Sequence, residues 1–179
     1  EAITEEQTTW LLAMRFTNLT GGKLVDPRRP HAGSVDVICT DDNGQTWRFV
    51  RNLTEECGGI SINESSFIRY GDGFIIAARG YDNRQWLIRP NGDFKLQQKV
   101  DITTANSFIQ SYVGRPRVFE RDGGHYLVGR NWDKPPFDRG SVLGYDQKKE
   151  REPGTTPMKL SLFRFDPETL AISKHVILD

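Results

Sequence analysis

The sequence predicts an all-β fold assembled from repeated four-stranded units, and three observations carry that expectation. Helical periodicity is nearly absent, short runs rich in β-branched and aromatic residues alternate with Gly, Asp, Asn and Pro punctuation, and a hairpin pattern recurs at a fixed spacing. In order, the runs are TTWLLAMRF, SVDVICT, TWRFV, SSFIRY, FIIAARG, QWLIRP, RPRVFE, HYLVGR, KLSLFRF and SKHVIL. The recurrence emerges when the turn at Asp72 is laid on the turn at Gly123, a shift of 51 residues that also carries Arg79 onto Arg130 and Glu64 onto Arg115. A weaker copy lies upstream, where WLLAMRF ends in Arg15. Each arginine is followed by another strand, a tight turn and a closing strand. Units of about 40 to 50 residues with four short strands are the pattern of propeller blades. They fall at 8–52, 63–101 and 112–179, the last interrupted by a long polar connection at 131–157.

Composition bounds the function. The chain has 179 residues, 36% of them hydrophobic and 11% aromatic, which is ordinary globular composition and room for one sizeable domain. Lys plus Arg equals Asp plus Glu at 24 each, with no long like-charged block, so nothing points to nucleic acid. No apolar run reaches the roughly 18 to 20 residues that span a bilayer. The acidic start EAITEEQTT is not a signal peptide. Cys39 and Cys57 have no CxxC spacing, which leaves a disulfide or two buried thiols. His31, His125 and His175 have no metal-ligand spacing, and no metal or cofactor is expected. Sequons stand at Asn18, Asn52 and Asn63.

The segment Asn63 to Arg84, NESSFIRYGDGFIIAARGYDNR, concentrates the chemistry. A hairpin turning at Gly71-Asp72-Gly73 brings Glu64 and Arg79 side by side at its open end. A guanidinium binds a carboxylate through two parallel hydrogen bonds, and a carboxylate beside it can serve as base. The repeat adds Arg115 and Arg130 at equivalent positions, giving a cup of one carboxylate and three arginines suited to an anionic sugar. Paired strand-end arginines are the plainer alternative.

Thr40-Asp41-Asp42-Asn43-Gly44-Gln45-Thr46-Trp47 resembles the Asp box of sialidases and related propellers. Thr40, Asp42, Gly44 and Trp47 are expected to be structural: Asp42 accepts backbone N–H groups, Gly44 takes positive φ, and Trp47 packs beneath the loop. Asn91-Gly92-Asp93-Phe94 and Asp166-Pro167-Glu168-Thr169-Leu170 are degenerate copies. Asn63-Glu64, Asp72-Gly73 and Arg79 likewise resemble the sialidase pattern, and Arg84 looks like the arginine that often precedes the next Asp-box hairpin. The resemblance implies a six-bladed propeller of which three to four blades are present. It further implies a secreted or periplasmic retaining hydrolase of terminal, sialic-acid-type sugars, with Glu64 as base to a tyrosine nucleophile and Arg79, Arg84, Arg115 and Arg130 binding substrate. That mechanism departs from the usual two-carboxylate scheme.

The chain departs from the family in three respects. It has no Arg-Ile-Pro motif, the nearest string being Arg28-Arg29-Pro30, and no acid aspartate soon after. It has Met158-Lys159-Leu160 where a third arginine is usual. It offers Tyr112, Tyr126 and Tyr145 as nucleophiles by elimination only. Two other classes stay open: a non-catalytic propeller that binds glycan or protein, and another hydrolase or lyase of polysaccharides. The long connection could rim a pocket with Trp132, Phe137 and Tyr145. At about 45 to 50 residues per blade, the chain is expected to be part of a larger propeller, completed by another segment or chain.

Overall fold

The computed structural model describes residues 1–16, 19–20, 23–24, 33–80, 84–106, 109, 113–132 and 158–178. Strands β1 (Ala2–Glu5), β2 (Thr8–Phe16), β5 (Gly33–Thr40) and β6 (Arg48–Asn52) form a first antiparallel sheet. Between β2 and β5 lies a two-residue ribbon of β3 (Leu19–Thr20) and β4 (Lys23–Leu24). The second sheet is built from β7 (Ile62–Tyr70), β8 (Gly73–Gly80), β9 (Gln85–Pro90) and β10 (Leu96–Asp101). The third comprises β11 (Val113–Arg121), β12 (Gly124–Trp132), β13 (Met158–Phe165) and β14 (Ile172–Leu178). Single helical turns α1 (Leu53–Glu56) and α2 (Ile102–Ala105) leave the first and second sheets. Their N-caps are Asn52 and Asp101, whose side chains accept from the backbone N–H of Glu55 and of Thr103 and Thr104. Three four-stranded up-and-down sheets packed face to face are blades of a β-propeller.

Packing explains why β8 and β9 read as continuous apolar runs. The second sheet is covered on both sides, so neither face needs polar residues. Phe74, Ile76, Ala78, Trp86 and Ile88 meet Leu12, Val35 and Val37 of the first sheet. Ile75, Ala77 and Leu87 meet Val113, Val118, Leu127 and Phe163 of the third. Phe74 stacks on Phe94 at 4.3 Å between centroids. Phe94 is fully buried from a left-handed backbone position, φ 58, inside the Asn91 turn, and Leu170 is buried likewise at φ 59 inside the Asp166 turn. Each degenerate box thus drives an apolar anchor into the core, a burial that stabilises by about 1.5–3 kcal/mol per side chain. Gly73 is required by close approach: a Cβ there would lie 2.3 Å from the Pro90 carbonyl oxygen.

The repeat is exact in register. Ile62 faces Gly80 as Val113 faces Asn131, Phe67 faces Ile76 as Val118 faces Leu127, and Tyr70 faces Gly73 as Arg121 faces Gly124. The upstream copy is out of phase by one residue. Leu12 packs toward the second sheet as Ala77 packs toward the third, so Met14 takes the place of Arg79. Arg15 turns to the opposite face and pairs with Asp36 at 2.8 Å.

Candidate active site

Up-and-down connectivity sorts the side chains by end. The starts of β7 and β11 and the ends of β8 and β12 share one end of the blades, which therefore gathers Glu64, Arg79, Arg115 and Arg130. The Asp-box turns and the turns at 71–73 and 122–123 occupy the other end.

At the first end, Glu64 is the meeting point of two blades. A β-bulge sets Asn63 and Glu64 against Arg79, because the register shifts between Ile62↔Gly80 and Ser65↔Ala78. Buried Asn63 accepts the Glu64 N–H at 2.6 Å, fixing the bulge from within. Arg79 Nη1 donates to Glu64 Oε2 at 2.8 Å, and the backbone N–H of Arg115 donates to the same oxygen at 2.9 Å. The second contact crosses from the third sheet to the second. A few residues along, the Val118 N–H donates to Ser66 Oγ at 3.0 Å across the same seam. The Glu64 side chain is 31% exposed and that of Arg79 18%, so the pair is fastened yet open on one side.

The four arginines expected to bind substrate take different places. Arg79 binds the carboxylate directly. Arg115 reaches it through its backbone, from φ 50, while its guanidinium is exposed and without a partner among the described residues. Arg130 stands on β12 opposite Gly114, at the edge of a second bulge where the register of β11 shifts between Gly114 and Arg117. Arg84 lies at the start of β9, 3.5 Å from Asp101 and 5.8 Å from the Trp86 ring centroid, on the side of the sheet occupied by β10.

Asp42 accepts from Thr40 Oγ1 at 2.7 Å, from the Thr46 N–H at 2.9 Å and from Thr46 Oγ1 at 2.6 Å. These bonds, those from Thr46 foremost, hold its carboxyl down to about 2. Gly44 sits at φ 85 with Trp47 beside it, though the indole is 45% exposed. Cys39 and Cys57 are free and buried, and burial pushes the Cys57 thiol up to about 11. Asn52 spends its amide on Ser34 Oγ at 2.8 Å and Asp36 Oδ1 at 2.6 Å, and Asn63 is buried, so neither sequon is open to a glycan in the fold. His125 packs edge-on against Tyr70 and His175 stacks on Phe163 at 4.8 Å. Among the described residues no group of three or more metal-ligating side chains gathers. Tyr126 stacks on Phe119 at 5.3 Å, away from Glu64 on the outward half of its hairpin. Tyr112, Tyr145, Phe137, His31, Asn18, Arg28-Arg29-Pro30 and residues 133–157 lie outside the described residues, as does the Trp132 side chain.

Sequence reasoning missed two clusters. One is Arg15–Asp36–Asn52–Ser34 in the first sheet. Its signal was an acid between two valines in SVDVICT, where a strand buried on one face needs a partnered polar residue. The other joins the second and third sheets at the turn end: Tyr70 OH and Arg89 Nη1 both donate to Glu168, the arginine at 2.8 Å. No local pattern marks it, because Tyr70 and Glu168 are 98 positions apart.

No protein-family model matches the chain, and no curated protein does. Solved structures match its fold over nearly its whole length. They include a glycoside hydrolase family 43 β-xylosidase/α-arabinofuranosidase from a compost microbial metagenome, with TM-score 0.62, 14% identity and 99% of this chain matched to 57% of that one. They include also a family 32 β-fructofuranosidase of Bombyx mori, with TM-score 0.59, 13% identity and coverage of 99% and 37%. A family 43 arabinoxylan arabinofuranohydrolase of Bacillus subtilis matches with TM-score 0.58, 15% identity and coverage of 99% and 40%. The similarity establishes the fold, a β-propeller of the kind found in glycoside hydrolases. The chain spans between 37% and 57% of the length of these three structures.

Proposed function

We propose that the chain supplies blades of a propeller glycoside hydrolase, and that Glu64 is the carboxyl group that acts on the glycosidic bond. Paired carboxyl groups perform this hydrolysis, one as acid and one as base or nucleophile, and Glu64 is assigned as one of them. The observation that carries the reading is the double hold on Glu64 Oε2, by Arg79 and by the Arg115 N–H across the seam, on a carboxylate still partly open to solvent. Such a hold fixes a reacting group in place before substrate arrives. The fold likeness to family 43 and family 32 enzymes supports carbohydrate as the substrate class. The outward faces of the first and third sheets expose Phe49 and Leu160, and further blades from another segment or chain would cover them.

The test uses the intact protein with chromogenic arabinofuranosides, xylosides, fructosides and sialosides. Glu64→Gln is expected to lower kcat/KM on the accepted glycoside by about 10²- to 10⁴-fold. Unchanged hydrolysis by the variant contradicts the assignment. Binding of a glycan without hydrolysis by either form favours a non-catalytic propeller.

A second reading concerns the sugar. Arg115, whose backbone N–H contacts Glu64, carries an exposed guanidinium, which favours an anionic, sialic-acid-type substrate in a secreted or periplasmic setting. In that case Arg115→Ala raises KM for a sialoside. Activity confined to neutral glycosides, with KM indifferent to Arg115, refutes it.

A further inference from the structure

At the end of the blades opposite Glu64, a cleft of about 420 Å³ opens between the second and third sheets, lined by Tyr70, Asp72, Arg89, Pro90, Gln97 and Glu168. Its volume lies in the roughly 300–1,000 Å³ range of small-ligand sites. Glu64 and Tyr70 stand six positions apart on one extended strand, so the cleft is about 20 Å from the proposed active site. From its lining we infer that the cleft is a second, non-catalytic site for an uncharged oligosaccharide, an inference that rests on carbohydrate being the substrate class.

The walls are set before any ligand arrives. Arg89 donates to Glu168 at 2.8 Å and to the Pro167 carbonyl at 3.4 Å, Tyr70 OH donates to Glu168, and Gly73 lies against the Pro90 carbonyl with no room for a Cβ. Within this frame the Asp72 carboxylate and the Gln97 amide are exposed and have no partner among the described residues. The charges select against ions. Arg89 is matched by Glu168, so Asp72 leaves the cleft negative and unsuited to an anion. Two carboxylates, one already taken by Arg89 and Tyr70, are too few to hold a divalent cation. A hydroxyl-rich neutral ligand fits what remains: acceptors on Asp72, a donor and an acceptor on Gln97, and apolar surface from the half-buried Tyr70 ring for the C–H face of a sugar.

The inference is tested by titrating isotope-labelled intact protein with xylotetraose, arabinotetraose and, as anionic control, sialyllactose. Amide shifts at Tyr70, Gly71, Asp72 and Gln97 are expected with a neutral tetrasaccharide and not with sialyllactose. Asp72→Ala with Gln97→Ala is expected to weaken that binding at least tenfold at unchanged melting temperature, and Glu64→Gln to leave it intact. No shifts with either neutral tetrasaccharide, shifts that the double variant keeps, or shifts that Glu64→Gln abolishes all overturn it. Loss of the Glu64 assignment alone, with cleft binding retained, overturns the active-site reading and leaves this one standing.

Discussion

Arg115 sits at φ 50 immediately before Pro116, where an L-residue is strained and a following proline favours extended backbone. That conformation costs about 1–3 kcal/mol and points the N–H at Glu64. The strain therefore marks the place where backbone geometry is spent on holding one carboxylate. Arg115→Gly keeps the N–H and relieves the strain, so a melting temperature equal to or above that of the parent is expected, with hydrolysis of neutral glycosides retained. A lower melting temperature would show that the guanidinium, not the backbone, secures this seam. Cys39 and Cys57 give a second check at this scale. Burial pushes both thiols up, Cys57 to about 11, so at neutral pH a thiol reagent is expected to label neither until the protein unfolds. Rapid labelling of the folded protein contradicts the burial described.

Hairpins and their turns are where sequence and structure agree most closely. The runs TTWLLAMRF and QWLIRP coincide with β2 and β9, and the Glu64–Arg79 pair follows from one turn and one spacing. Such features are legible because they depend on residues close along the chain. What depends on neighbouring blades was not legible. Arg115 was expected to turn its guanidinium to a sugar, and its contact with Glu64 is made by the backbone, from a bulge between Gly114 and Arg117 that has no sequence marker. The one-residue phase slip that turns Arg15 to the far face was hidden for the same reason, whereas β1 pairs with β2 through a local hairpin and was hidden because its short run AITE carries no apolar strand pattern. At the Asp box, Asp42→Ala removes three acceptor contacts from a surface turn, so a lower melting temperature with unchanged kcat per folded molecule is expected from calorimetry and kinetics. The Tyr70–Arg89–Glu168 latch carries a pH signature. Tyr70 foremost, then Arg89, lowers Glu168 from its usual value, so the latch contributes fully above about pH 4.5 and is lost as pH falls through the lower folded value. The hydrogen bond to Glu168 raises Tyr70 above 10.0, so its contribution holds below that pH and fades as pH rises through the higher folded value. The melting-temperature deficit of Glu168→Gln is accordingly expected near neutral pH and to vanish in acid. A deficit that persists at pH 2 contradicts it.

Over the whole molecule, three sheets share two cores, and the middle sheet belongs to both. Gly73→Ala strikes that shared element by placing a methyl group 2.3 Å from a carbonyl oxygen, and a loss of about 1–3 kcal/mol is expected in denaturant unfolding. The same architecture divides labour between its ends: one gathers the fastened Glu64 and its arginines, the other the turns, the latch and a polar cleft. That division locates the proposed chemistry. The most direct measurement is the structure of the Glu64→Gln protein with a bound oligosaccharide. The glycosidic oxygen of the bound sugar is expected within about 2.6–3.2 Å of the residue-64 side chain. Sugar bound only away from that rim would contradict it.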